Sequence, residues 1–151
     1  MKKLVIVLIV IILGLGGFIG WKFFLSGDKD KEKKEETIKV SDMSAEELLN
    51  LTVKPEGEGD EAMVSTELAD GAKIRLQYDV VLENEKAKTE FTNRSSQMSS
   101  TTLETLMSKA SDEVYGAAGK QNLQLALKKK FNKYMKEGKV IEVYITKISI
   151  S

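Results

Sequence analysis

The uncharged stretch from Leu4 to Trp21, within MKKLVIVLIVIILGLGGFIGWKFFL, constrains this chain more than any other feature. As a helix rising 1.5 Å per residue it covers roughly 27 Å, close to the roughly 30 Å hydrocarbon core of a bilayer. A cleaved signal peptide is the competing reading, because Lys2 and Lys3 form a charged n-region. The apolar core, however, exceeds the roughly 7 to 15 residues of an h-region, and no small-x-small alanine site follows it. An uncleaved signal anchor over residues 1–25 is therefore expected, with Trp21, Phe23 and Phe24 as an interfacial aromatic belt and Lys22 snorkelling to the headgroups. Gly16 and Gly20 form a small-xxx-small pair that allows another helix to approach closely, although glycine is also common in such helices without that role.

Charge counting does not orient the anchor cleanly. Lys2 and Lys3 precede it, whereas Lys22, Lys29, Lys31, Lys33 and Lys34 follow, which by the positive-inside rule places the C-terminal part in the cytoplasm. Those lysines are interleaved with Asp28, Asp30, Glu32, Glu35 and Glu36, so the flank is neutral overall. The chain has no cysteine, which rules out a disulfide framework and fits either side of the membrane.

Residues 26–62 read as a tether. GDKDKEKKEE has dense mixed charge and too little apolar surface to offset chain entropy. Within the tether, Ser44-Ala-Glu-Glu-Leu-Leu has the capping-box pattern, with Ser44 at the N-cap, Glu47 three residues on, and a short stripe of Leu48, Leu49 and Leu51. It predicts a helical turn in the linker or a docking segment for a neighbour. Pro55 and Glu56-Gly57-Glu58-Gly59-Asp60-Glu61 close the tether; their acids lack the ligand spacing of a calcium loop.

A folded domain is expected over residues 63–151. Met63 to Leu68 is extended, Asp70-Gly71 is a turn signal, and from Lys73 to Glu83 apolar Ile74, Leu76, Tyr78, Val80 and Leu82 alternate with polar residues, only Val81 breaking the pattern, together an antiparallel hairpin. Two or three helical pieces come next. Glu85–Arg94 carries Ala87 and Phe91, and the serine run 95–100 either interrupts it or continues it poorly. Leu103, Leu106, Met107, Ala110 and Val114 have the spacing of one helix face. Gly116 and Gly119 punctuate, and Lys120–Lys136 forms a last helix with Leu123, Leu127, Phe131 and Tyr134 on one side and Gly138 as its C-cap. Strict alternation in the closing VIEVYITKISIS puts Val140, Tyr144, Ile148 and Ile150 on one face and Ile141, Val143 and Ile145 on the other, which suits a central or partner-covered strand. Val140, Val143, Tyr144 and Ile145 are accordingly candidate oligomer or partner contacts. The fold class is α+β: a small sheet of hairpin plus C-terminal strand packed with two to three helices, behind one N-terminal transmembrane helix.

Composition excludes much chemistry. With no His and no Cys, a His-based triad, a cysteine protease and a Cys/His zinc site are impossible. Ser108 and Lys109 are adjacent, so on a helix they point about 100° apart and form no dyad. No glycine-rich phosphate loop is present, and no cofactor is expected. Basic and acidic residues balance at 23 each, and from Met63 on 14 basic stand against 11 acidic, an excess too slight to imply a nucleic-acid partner. Lys128, Lys129, Lys130, Lys133, Lys136 and Lys139 crowd the end of the last helix, where positive charge suits the helix dipole. They read as a solvated face or, more sharply, as contacts to anionic headgroups or an acidic partner, with Lys128, Lys129, Lys133 and Lys136 the candidates.

The anchor, the tether, Thr66-x-Leu68-x-Asp70-Gly71 before an alternating strand, and the run Asn132-x-x-Met135-x-x-Gly138-Lys139-Val140-x-x-Val143-Tyr144 together resemble the flagellar basal-body-associated FliL family. Thr66-Glu67-Leu68 replaces the frequent Thr-Asn-Leu, and the chain ends Ile148-Ser149-Ile150-Ser151 without the frequent terminal Gln. The resemblance implies a single-pass protein of the cytoplasmic membrane, N-terminus inside, whose extracytoplasmic domain has a stomatin-like fold. It further implies homo-oligomeric rings around the stator units of the flagellar basal body that support torque without catalysis. The alternative is a membrane-tethered extracytoplasmic domain that binds a lipid or solute, unrelated to motility.

Overall fold

The computed structural model describes residues 38–57, 59 and 62–151. The expected anchor, its Gly16 and Gly20, and the tether as far as Thr37 lie outside the described residues, among which no helix is long and apolar enough to cross a membrane. Ile38–Ser151 forms one compact unit. After a short 3-10 turn at Val40–Asp42 its elements are α1 (Ala45–Asn50), β1 (Thr52–Val53), β2 (Val64–Glu67), β3 (Lys73–Leu82), α2 (Glu85–Asn93), α3 (Ser95–Met107), the single turn α4 (Ser111–Val114), α5 (Gly116–Asn132) and β4 (Val140–Ile150). The class is α+β, with a small antiparallel sheet and several helices.

The sheet is organised around β3. One edge of β3 pairs with β4 along its length; the other pairs with β2 at Lys73–Leu76 and with β1 at Val80–Val81. The β2–β3 hairpin forms as its sequence predicts, with Gly71 in the left-handed region at φ 83° where a residue with a Cβ is strained. The short strand β1 was not visible in the hydrophobic pattern: Thr52–Val53 is too brief to show a period, yet it completes the second edge of β3.

The last strand departs from its expected alternation. It lies at the edge of the sheet, and its register against β3 slips twice, so that Val140 pairs with Leu82 but Glu142 with Val81, and Ile145 pairs with Tyr78 but Lys147 with Gln77. Each slip leaves one extra residue in β4, Ile141 and Thr146, and each extra residue resets which face the subsequent side chains occupy. Val140, Val143, Ile145, Ile148 and Ile150 thus all stand opposite the core-facing residues of β3, while Glu142, Tyr144, Lys147 and Ser149 share the other face. A two-faced apolar pattern on paper becomes one apolar face once two bulges are counted.

Helices cover that face. Ala87 and Phe91 from α2, and Leu123, Leu127 and Phe131 from α5, join the strand residues in one core. Phe131 stacks on Tyr78 at 6.2 Å between ring centroids and lies nearly perpendicular to Phe91 at 5.4 Å. Each such side chain contributes roughly 1.5–3 kcal/mol by leaving water.

The middle helix faces the core differently from its leucine spacing. The serine-rich run 95–100 begins α3, and its buried positions are Met98, Thr101, Thr102, Thr105 and Leu106, whereas Leu103 and Met107 are exposed. Threonine suits this face because each hydroxyl donates to the carbonyl four residues back, Thr101 to Gln97, Thr102 to Met98 and Thr105 to Thr101. The polar atom is thereby satisfied and the methyl is left to pack. The Thr102 hydroxyl also bonds the Tyr78 hydroxyl at 2.9 Å. Burial pushes the Tyr78 phenol up to about 12, against the Thr102 hydrogen bond that lowers it, and the Glu56 charge adds to the rise.

Two glycines do not act as expected from the sequence. Gly119 lies inside α5, where a Cβ would stand 2.5 Å from the Val114 carbonyl carbon and 2.9 Å from the Glu113 oxygen, so it permits close packing and does not begin a helix. α5 ends at Asn132 with Lys133 as its cap, so Gly138 is not its C-cap; its bare Cα instead lets the turn pass against Ala87 and Asn84.

Candidate contact surfaces

An edge strand exposes main-chain donors and acceptors, and along half of β4 the helix α5 supplies their partners. Asn132 projects from the end of α5 and donates from Nδ2 to the Val140 carbonyl (2.9 Å), while its Oδ1 accepts the Val140 N–H (2.8 Å). This reciprocal pair does what a neighbouring strand would do. Two turns earlier, Gln124 Oε1 accepts the Ile145 N–H at 3.0 Å. Between them the Val143 N–H meets the Glu142 carboxylate at 3.2 Å, whose second oxygen lies 3.8 Å from Lys128 Nζ. From Val140 to Ile145 the N–H groups of Val140, Val143 and Ile145 and the Val140 carbonyl all meet side chains.

Beyond the second bulge the edge is open. Lys73 and Ser151 exchange both main-chain bonds at 2.9 Å. The antiparallel repeat of two residues then turns the N–H and C=O groups of Ile148 and Ile150 away from β3. Beside them lies an apolar groove of about 270 Å³, bounded by Val114, Tyr115, Ala117 and the two isoleucines, with Lys120 at its rim.

The four β4 side chains expected to make contacts are separated by the strand's pleat. Val140, Val143 and Ile145 are buried in the protein's own core, so they have no side-chain surface to offer a partner. Tyr144 alone is exposed, at 41%, on the outer face opposite Asp79. Partial burial raises the pKa of Tyr144, helped by the charge of Glu142; partial burial likewise raises Asp79, against the opposing pull of Lys54. The candidate lysines divide as well. Lys128 leans on Glu142, whereas Lys129, Lys133 and Lys136 are exposed around the end of α5.

Carboxylates fasten the turns. Asp70, at the hairpin tip, accepts from the Ser111 hydroxyl (2.6 Å), the Ser111 N–H (2.9 Å) and the Ala72 N–H (3.3 Å), which ties the hairpin to the start of α4. These bonds, the Ser111 hydroxyl first, hold its pKa below the ordinary carboxylate value. Glu90 accepts the N–H groups of Glu137 and Lys136, both at 2.8 Å, and pairs with Arg94 at 2.9 Å, so the turn after α5 is fixed to α2. The capping box at Ser44 forms as predicted: Glu47 N–H donates to Ser44 Oγ (3.2 Å) and Ser44 N–H to the Glu47 carboxylate (2.8 Å).

The structural roles of Asn132, Gln124 and Asp70 were not legible from residue type alone. Asn132 and Asp70 do stand in the two runs that carry the family resemblance, and the structure gives both a mechanical purpose, a clamp on the edge strand and a staple on the hairpin.

Comparison with known proteins agrees with this anatomy. Residues 59–150 match the family model described as flagellar basal body-associated protein FliL. The chain is 29% identical over 128 residues to a protein of Bacillus subtilis (strain 168) described as "Flagellar protein FliL", covering 85% of this chain and 82% of that one. The matched region spans the sheet from β2 onward, α2 to α5, and both runs, and the chain belongs to the flagellar basal body-associated FliL family.

Proposed function

We propose that the chain is a non-catalytic accessory protein of the flagellar motor. Leu4–Trp21 holds it in the cytoplasmic membrane as a single-pass helix, N-terminus inside. The domain lies outside, where copies assemble beside or around stator units and support torque. The observation that carries this reading is the family match over residues 59–150, which hold β2 to β4 and α2 to α5. The lysines after Trp21 alternate with acids, and the family resemblance outweighs their count in setting the orientation.

Self-assembly would use the surfaces that the fold leaves open, the Ile148–Ile150 end of β4 with its groove and the outer face at Tyr144, because Val140, Val143 and Ile145 serve the core. Side-specific labelling tests the topology, and the chain suits it because it contains no cysteine. A Ser151→Cys variant in intact cells is expected to react with a membrane-impermeant maleimide, and strains lacking the chain are expected to swim more slowly in viscous medium. Full swimming without the chain, or labelling only after lysis, would refute the proposal.

A further inference from the structure

At the end of the sheet that holds the hairpin turn the strands run β2, β3, β4, and among the described residues neither outer edge is paired with a further strand. Lys73 exchanges both main-chain bonds with Ser151, and the Leu68 N–H donates to the Ala72 carbonyl, so the antiparallel repeat of two fixes which groups face outward. They are those of Ser65 and Glu67 on β2 and those of Ile148 and Ile150 on β4. The open edge of β2 ends there, because the Ala69 N–H is already taken by the Lys109 carbonyl (2.9 Å).

These two edges fit each other in parallel. Both β2 and β4 are antiparallel to β3, so a second copy in the same orientation presents its β2 alongside β4 running the same way. Facing residues of a parallel pair share a side of the sheet, and the bonds of one residue slant to the two neighbours of the residue it faces. Ile148 and Thr66 both lie on the helix side, opposite the core residues Leu76 and Ile74. With Ile148 facing Thr66, the Ile148 N–H meets the Ser65 carbonyl, the Glu67 N–H meets the Ile148 carbonyl, and the Ile150 N–H meets the Glu67 carbonyl. Charge selects this register. Glu67 is the one charged side chain of β2 and Lys147 the one of residues 146–151. The register sets Glu67 opposite Ser149 and diagonal to Lys147, whereas Ile148 facing Val64 would carry it away; Lys73 and Arg75 stay one strand further back, behind Glu67. The helix layers match as well. α3 lies over β2 and α5 over β4. Met107, 58% exposed, stands at the β2 edge, and the groove with Tyr115, 77% exposed, at the β4 edge, a thioether and an aromatic ring that pack favourably.

We infer that copies of this chain join head to tail, β2 of one adding in parallel to Ile148–Ile150 of the next, with Met107 entering the groove beside Tyr115. The inference rests on the self-assembly proposed above and names its contact. Repeated, such a contact closes into a ring or runs on as a filament. Two-fold alternatives join β4 to β4 or β2 to β2, which sets groove against groove or Glu67 near its own copy and leaves the other edge open.

Disulfide trapping tests it on a chain that has no cysteine of its own. Glu67 and Ser149 are both exposed, and across the joint their Cα atoms stand one strand spacing apart, roughly 4.8 Å, within reach of a disulfide. Inside one chain β3 separates them by two spacings, roughly 10 Å, which is too far. Full-length Glu67→Cys and Ser149→Cys chains with tags of different size are co-expressed and their membranes oxidised, while an amine-reactive cross-linker on the native chain in matching membranes reports association through any surface. The expected result is a disulfide-linked dimer holding one of each chain, none from either variant alone, and a ladder of multimers from the chain carrying both substitutions. A dimer from Ser149→Cys alone or Glu67→Cys alone indicates a two-fold joint and overturns the inference. No disulfide from the mixture while the native chain still cross-links through its amines overturns this contact and leaves assembly standing. Failure of both overturns both.

Discussion

Replacing Asn132 by alanine removes both partners of the Val140 main chain at once, and Val140 is almost fully buried. Water reaches neither orphaned group easily, so each costs about 1–2 kcal/mol, and the pair roughly 2–4 kcal/mol. That is a large share of the 5–15 kcal/mol that typically holds a domain together, and it corresponds to a fall in Tm of roughly ten to twenty degrees. Denaturant midpoints of the detergent-solubilised chain measure it. Gln124→Ala, which removes one acceptor from the Ile145 N–H, is expected to cost about 1 kcal/mol by the same reasoning. Asn132→Asp keeps the acceptor for the N–H but sets a carboxylate against the Val140 carbonyl, so it does not restore stability. An Asn132→Ala chain within about 0.5 kcal/mol of the native one refutes the idea that this side chain stands in for a missing strand.

The Tyr78–Thr102 bond predicts coupling: Tyr78→Phe and Thr102→Val are each destabilising by about 1 kcal/mol, and the double variant costs less than their sum in a thermal-melt cycle. Because the folded pKa of Tyr78 is raised to about 12, its contribution is full below pH 10 and is lost as pH rises toward 12, so alkaline melts are expected to show an unfolding step that Tyr78→Phe weakens. Gly119→Ala destabilises by about 1–3 kcal/mol despite alanine's better helix propensity, because the new methyl meets main-chain atoms of Glu113 and Val114 that cannot swing aside; an unchanged urea midpoint would count against that packing. The lowered pKa of Asp70 makes its contribution present above about pH 4 and lost as pH falls through the folded value, so Asp70→Asn is expected to flatten part of the acid limb of a stability–pH curve.

Much of the fold can be read from period and punctuation. Alternation from Ile74 to Leu82, broken only at Val81, and the Asp70-Gly71 turn define the hairpin, and the leucine and phenylalanine spacing of α5 defines its buried side. Three features escaped for physical reasons. Threonines 101, 102 and 105 fill core positions because a helix can satisfy a hydroxyl internally, which a hydrophobic count does not see. Bulges at Ile141 and Thr146 reverse the face of the residues after them, and no residue type announces a bulge. Long-range placement escapes as well: Leu51 and Lys139 are far apart in the chain and reach one end of the sheet only through the bonds of Leu82 and Glu83 and the pairing of Leu82 with Val140.

The most direct test of the motor role is torque from single flagellar motors, measured by bead rotation in cells lacking the chain while native protein is re-expressed. Under heavy load, the account predicts that rotation speed rises in discrete steps as the protein returns, and that a version without residues 1–25 produces no rise. Motors with the same torque and the same number of steps before and after re-expression would contradict it.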